Sequence, residues 1–177
     1  MSKSICVYCA SSEKVDDIFF ESARRMGTLL AEGGCTLVYG GGSIGLMGAM
    51  ARAVHAGHGR VVGVIPDSMV EKELAYHEAD ELIVTGTMLE RKAAMAERAD
   101  AFVALPGGFG TLEELFEVLT HRQLRYHDKP IVIVNVAGYY DPLLALFEHM
   151  IENHFAKPRH RQSYCVVTSP DQVLDRI

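Results

Sequence analysis

Leu105-Pro106-Gly107-Gly108-Phe109-Gly110-Thr111-Leu112-Glu113-Glu114 joins an apolar run to a helical pattern through a glycine turn, and its reading decides the fold. Ala101 to Leu105 has the length and composition of a buried strand, and Leu112, Leu115, Phe116 and Leu119 recur at helical spacing. The turn between them therefore opens at the carboxyl edge of a sheet. Glycines there let a ligand approach the main chain, and the free N–H groups of the new helix, at its positive dipole end, favour an anion such as phosphate. The same letters contain Thr-x-x-Glu, a capping box with Thr111 as cap and Glu114 at the third helical position, in which both side chains only satisfy main-chain N–H groups. A cap alone does not require three glycines after a buried strand.

Working outward, the strand–turn–helix pattern recurs along the chain. Ile5 to Ala10 is an apolar run followed by Ser11-Ser12 and a helix through Phe19, Phe20, Ala23, Met26, Leu29 and Leu30, ended by Gly33-Gly34. Thr36 to Tyr39 runs into a second glycine corner, Gly40-Gly41-Gly42-Ser43-Ile44-Gly45-Leu46-Met47-Gly48. Val61 to Ile65, Leu82 to Val84, Ile131 to Val134 and Cys165 to Val167 complete the strands, and Met88 to Arg98 and Pro142 to Ile151 are helical. Continuous apolar strands separated by helices indicate parallel pairing with both sheet faces covered. The expected fold is α/β: one Rossmann-like, doubly wound domain over 1–177, its mostly parallel sheet of about seven strands flanked by helices on both faces. In such sheets ligands bind outside the carboxyl ends of the strands near the switch point. Ser11-Ser12, Gly40 to Gly45 and Pro106 to Thr111 can thus converge on one cleft.

Composition narrows the function classes. A chain of 177 residues buries about 70% of its unfolded surface in one core. Seventeen Lys and Arg against 23 Asp and Glu give a net charge of −6, and no basic block suggests nucleic-acid binding. The first residues lack a charged stretch followed by a long apolar run, and no 18 apolar residues stand together, so neither membrane nor export is expected and the protein is placed in the cytoplasm. Cys6-x-x-Cys9 lies inside a strand-like run, where no helix start stabilises a thiolate, and no second pair completes a metal site. No metal or cofactor is expected.

Two constellations point to nucleotide chemistry. Gly40-x-Gly42-x-x-Gly45 matches the dinucleotide fingerprint between strand and helix, which keeps an NAD-type oxidoreductase open. Its position on the second strand, with no ribose-binding acid directly after the third, favours a single nucleotide instead. On a helix, Met88, Arg91, Lys92 and Met95 share one stripe, so two cations flank an apolar seam. Their heads can also simply lie in water. Glu71, Glu73, Glu78, Asp80 and Glu81 form an acidic, mostly solvated stretch, and His121 is a titratable group one turn or more beyond Glu114.

Pro106 to Glu114 matches PGGxGTxxE, Met88 to Lys92 matches MxxRK, and Tyr39 to Gly48 resembles YGGGxxGLMG. Together, and over almost the whole chain, they resemble the Lonely Guy family of cytokinin riboside 5′-monophosphate phosphoribohydrolases, long labelled possible lysine decarboxylases. The resemblance implies hydrolysis of the N-glycosidic bond of a cytokinin riboside 5′-monophosphate or AMP, giving free base and ribose 5-phosphate. It implies Arg91 and Glu114 as the catalytic pair. It places Glu73, Lys92, Gly108, Phe109, Gly110, Thr111, Leu112, Glu113 and Thr120 around the nucleotide, and it implies a homodimer; Gly42, Ser43 and Gly107 of the two glycine corners are expected to bind the nucleotide with them. Such a reaction builds positive charge on the ribose, which a carboxylate stabilises, while a guanidinium clamps phosphate or a leaving base. A non-catalytic nucleotide-binding module using the same cleft is the alternative. The chain departs from plant-like members at His121, where many carry Trp, and at Arg125, commonly Gly, and no lysine has a recognisable Schiff-base context.

Overall fold

The computed structural model describes residues 2–70, 72 and 74–177. Seven strands form one sheet in the order β4-β3-β2-β1-β5-β6-β7: β1 Ser4–Tyr8, β2 Thr36–Tyr39, β3 Arg60–Pro66, β4 Glu81–Thr85, β5 Ala101–Ala104, β6 Ile131–Val134 and β7 Cys165–Val167. Every pairing is parallel, so the sheet is wholly rather than mostly so. The helices are α1 Asp17–Glu32, α2 Gly45–Ala56, α3 Asp67–Val70, α4 Met88–Arg98, α5 Phe109–Gln123 and α6 Asp141–Glu152.

Alternation along the strands divides the core into two layers. Ile5, Val7, Leu37 and Tyr39 pack with Met26, Leu30, Met50 and Val54 of α1 and α2. Cys6, Tyr8, Val38, Val62 and Val64 pack on the opposite face with Met95, Leu115, Val118 and Phe147 of α4, α5 and α6. Both faces are covered, and that is why β1, β2, β5 and β6 read as unbroken apolar runs. α4 carries the chain from edge strand β4 back to central β5. The switch point therefore lies between β1 and β5, whose ends align with Tyr8 opposite Ala104.

The helix starts differ from the expectation in one place. α5 begins at Phe109, with Gly108 as N-cap and no side-chain cap, so Thr111 and Glu114 lie inside the helix and form no capping box. The turn before it is held from elsewhere: the hydroxyl of Tyr140 donates to Leu105 O and that of Tyr139 to Gly107 O, both at 2.7 Å. This fixes the chain direction early and starts the helix two residues ahead of Thr111. A Thr-x-x-Glu cap does form at Thr87-Met88-Leu89-Glu90: Thr87 Oγ1 accepts from Glu90 N at 3.1 Å, and the Glu90 carboxylate accepts from Gly86 N at 2.9 Å. It anchors the first turn of α4, immediately before Arg91.

α1 and α2 pack closely because Gly27 carries no side chain; a Cβ there would lie 2.5 Å from Met50 O and 2.8 Å from Ala53 Cβ. Gly27→Ala, despite the better helix propensity of alanine, is expected to destabilise the domain by roughly 1–3 kcal/mol in urea unfolding. An unchanged midpoint would show that the two helices can separate freely.

Candidate functional site

The turns after β1, β2, β3 and β5 enclose a cleft of about 400 Å³ at the carboxyl edge of the sheet, a size typical of small-molecule sites. Its floor comes from Tyr8, Cys9 and Ala10 with Ser11 and Ser12, one wall from Gly40, Gly42, Ile44 and Met47, and the other from Gly108, Phe109, Gly110, Thr111, Glu113 and Glu114. Ala10 N donates to Pro106 O and Leu46 N to Ala10 O, at 3.2 and 3.0 Å, so three separate turns are tied into one rim.

The two glycine corners do different work. In the first, Gly45 adopts φ +60° and a Cβ there would lie 2.4 Å from the Ser11 carbonyl carbon, while one on Gly48 would lie 1.9 Å from Ser43 O. A Cβ on Gly40 would meet the Arg91 guanidinium at 2.1 Å and one on Gly42 the Met47 methyl at 2.7 Å. Those glycines are used up by contacts within the protein, which removes the dinucleotide reading's reason for them. At Gly108 and Gly110 a Cβ would meet nothing within 4 Å, and neither has positive φ. Neither backbone strain nor protein packing accounts for glycine there. Both open onto the cleft at the amino end of a 15-residue helix with no acidic residue in its first turn, a setting suited to an anion.

Arg91 and Glu114 meet beneath the Gly40 corner. Both are almost fully buried, at 8% and 6% exposure, and Arg91 Nη2 lies 3.1 Å from Glu114 Oε1. Arg91 Nε donates to Val64 O at 3.1 Å, which fixes the guanidinium against the end of β3. Glu114 Oε1 is buried but has no aligned hydrogen-bond donor, so the contact is one of charge, with the carboxylate's lone pairs uncommitted. Burial pushes the Glu114 carboxyl up to about 7 despite the opposing pull of Arg91. Its ordinary value is 4.5, so Glu114 favours the folded state most below that pH, and this contribution is lost as the pH rises through about 7. A carboxyl poised there can be ionised or protonated in neutral solution, as an acid–base group must be.

The other expected site residues divide. Gly42, Gly108, Phe109, Gly110, Thr111 and Glu113 line the cleft with Arg91 and Glu114. Gly107 is buried beside it, its Cβ position occupied by the Thr111 hydroxyl. Ser43 is turned away, its N and Oγ both donating to Leu74 O. Leu112 packs into the core. Lys92 is bound by Glu113 and Glu117 rather than facing the cleft. Thr120 is exposed about three turns along α5, in a separate groove with Phe116, Leu119 and Tyr164. Glu73 lies outside the described residues. Of the stripe on α4, Arg91 and Met95 face inward and Met88 stands half-exposed at the cleft mouth.

Sequence reasoning missed Met69, Leu74, Tyr8 and Cys9, which also line the cleft. In the sequence Tyr8 shows only as part of a strand and Cys9 only as part of that strand and of the Cys-x-x-Cys pattern; the segment carrying Met69 and Leu74 has no periodic signal. Burial raises the Cys6 and Cys9 thiols well above neutrality, which leaves the Cys-x-x-Cys pair inert. Among the described residues no three His, Cys, Asp or Glu gather as metal ligands, and no helix is long and apolar enough to cross a membrane.

Comparison with known proteins supports the motifs. The family described as "Possible lysine decarboxylase" matches residues 47–177. A probable cytokinin riboside 5′-monophosphate phosphoribohydrolase of Oryza sativa subsp. japonica is 47% identical over 175 residues, 99% of this chain and 71% of the relative. A cytokinin riboside 5′-monophosphate phosphoribohydrolase of Arabidopsis thaliana is 44% identical over 168 residues, 95% of this chain and 77% of the relative. Among solved structures, the molybdenum cofactor carrier protein of Chlamydomonas reinhardtii shares the fold with a TM-score of 0.76 at 20% identity, covering 99% of this chain and 95% of that one. The molybdenum cofactor binding protein of Rippkaea orientalis gives 0.75, also at 20% identity, over 99% and 94% of the two chains. These last two speak for architecture alone. With near-full-length relatives above 40% identity, the chain belongs to the Lonely Guy family of cytokinin riboside 5′-monophosphate phosphoribohydrolases.

Proposed function

We propose that this protein hydrolyses the N-glycosidic bond of cytokinin riboside 5′-monophosphates, and of AMP, releasing the free adenine-type base and ribose 5-phosphate. The observation that carries the reading is the buried Arg91–Glu114 pair set beside two glycines that nothing in the protein requires. Phosphate seated on the N–H groups of Gly108 to Thr111 anchors the nucleotide away from the reacting bond and so positions it. As the bond from C1′ to the base nitrogen breaks, positive charge develops on the ribose. The bonding electron pair leaves with the base nitrogen, towards which Arg91 supplies positive charge; ionised Glu114 stabilises the ribose charge and takes a proton from the water that attacks C1′, and that proton then passes to the departing base, which leaves Glu114 ionised again. The apolar wall of Met47, Met69, Leu74 and Met88 suits a flat base and an apolar substituent on it.

The protein acts as a homodimer in the cytoplasm. Leu89 at 70% and Phe109 at 93% exposure stand at the start of α4 and α5 beside the cleft mouth, apolar surface that a second copy would cover. Thr120, too far along α5 for its own cleft, then belongs with the site of the neighbouring copy. Four free thiols suit a reducing compartment.

Glu114→Gln is expected to retain the fold by circular dichroism and to lose base release from isopentenyl-AMP by about 100-fold or more, read by product chromatography; wild-type turnover in this variant would overturn the assignment. The wild-type kcat/KM should rise with pH and level off above about 7, as Glu114 ionises. Gly110→Ala separates binding from folding. It should stabilise the domain by up to about 1 kcal/mol through helix propensity, yet raise KM about tenfold by filling the anion seat, a loss of about 1.4 kcal/mol. Sedimentation should give twice the 19.5 kDa chain mass at micromolar concentration.

A further inference from the structure

The seam between α4 and α5 is unevenly charged. Arg91 and Lys92 are consecutive on α4, and Glu113, Glu114 and Glu117 face them from α5, two cations against three carboxylates. Arg91 is committed to Glu114. The single ammonium of Lys92 is shared: it bridges the Glu113 carboxylate and, at 2.5 Å, Glu117 Oε2, with its own side chain only 15% exposed. Glu113 and Glu117 are one helical turn apart on either side of Glu114, so they would repel it if left unpaired.

We propose that Lys92 is a positioning residue, a charge brace whose one ammonium keeps the Glu113 and Glu117 carboxylates off Glu114 and locks α4 to α5, rather than a ligand for the nucleotide. The groups facing Glu114 define what it feels: Arg91 and Lys92 from α4, Glu113 and Glu117 on its own helix, and Cys6, Tyr8 and Cys9 from β1. Burial holds both thiols and the phenol protonated through neutrality, so the charges that act on Glu114 are those of the seam. The two carboxylates also raise the Lys92 ammonium above its ordinary value, so the brace stays charged wherever the enzyme works. Removing Lys92 exposes Glu114 to two uncompensated negative neighbours and makes it harder to ionise. Removing Glu117 does the reverse.

The test reads Glu114 directly, by ¹³C NMR titration of its side-chain carboxyl in the full chain, the resonance identified by its loss in Glu114→Gln. In Lys92→Met the midpoint should move up by about one pH unit; in Glu117→Gln it should move down, and Lys92→Met combined with Glu117→Gln should fall between them. The acid limb of kcat/KM for isopentenyl-AMP should follow each midpoint. An unmoved midpoint in Lys92→Met, with KM raised and the limb unchanged, would instead make Lys92 a nucleotide ligand and overturn the brace. If Lys92→Met does not fold, Glu117→Gln decides alone, since an unshifted midpoint there is equally fatal. The role given to Glu114 rests on the hydrolase reading, but the titration needs no turnover, so a chain that cleaves no nucleotide leaves this result standing.

Discussion

A guanidinium and a carboxylate, both out of water and 3.1 Å apart, are the constraint around which the carboxyl edge of the sheet is arranged. Removing two charges from solvent costs several kcal/mol per ion, and a pair like this persists only if its surroundings fix the geometry. The surroundings here come from four elements. The cap at Thr87–Glu90 sets the first turn of α4, the Val64 carbonyl orients the guanidinium, Gly40 leaves room for it, and β5 delivers α5 to the same depth. A pair retained at that cost, with one carboxylate oxygen left without a donor, is better explained by chemistry than by stability.

Much of the fold was legible because a parallel sheet covered on both faces leaves its strands as continuous apolar runs. β1, β2, β5 and β6 are of this kind, whereas the order of the strands in the sheet comes from the structure. The site was legible in its types more than its orientations. Arg91 and Lys92 stood out as cations on an apolar stripe, yet the alanines beside them left the facing of that stripe open, and only packing shows Arg91 pointing in and Lys92 bound across the seam. Thr-x-x-Glu occurs both at 87–90 and at 111–114, and local letters do not say which copy lies at a helix start. That depended on two tyrosines about thirty residues downstream. Met69 and Leu74 carry no local signal, because they reach the cleft only through the tertiary path of the segment after β3.

The glycines show why a motif must be separated from its reason. Tyr39 to Gly48 and Pro106 to Glu114 look alike as glycine corners, and both line the cleft. In the first, the missing side chains are replaced by neighbouring backbone, by Met47 and by Arg91; in the second, Gly107 gives its space to Thr111, while at Gly108 and Gly110 nothing takes it. A motif match alone would assign phosphate to either. Only the second offers free backbone donors at a helix start together with empty space.

The phenol groups of Tyr139 and Tyr140 give the second corner a property of its own. Their hydroxyls hold the carbonyls of Leu105 and Gly107 from the far side of the turn, and their rings meet edge to face, with centroids 5.0 Å apart. The N–H groups of Gly108 to Thr111 are thus held in a fixed direction, and an anion seated there, as in the proposed function, would not have to order a loose loop. Occupancy should then cost little conformational entropy. Sensitivity to change moves instead to the β6–α6 connection, where a substitution far from every reacting atom can loosen the seat without touching it.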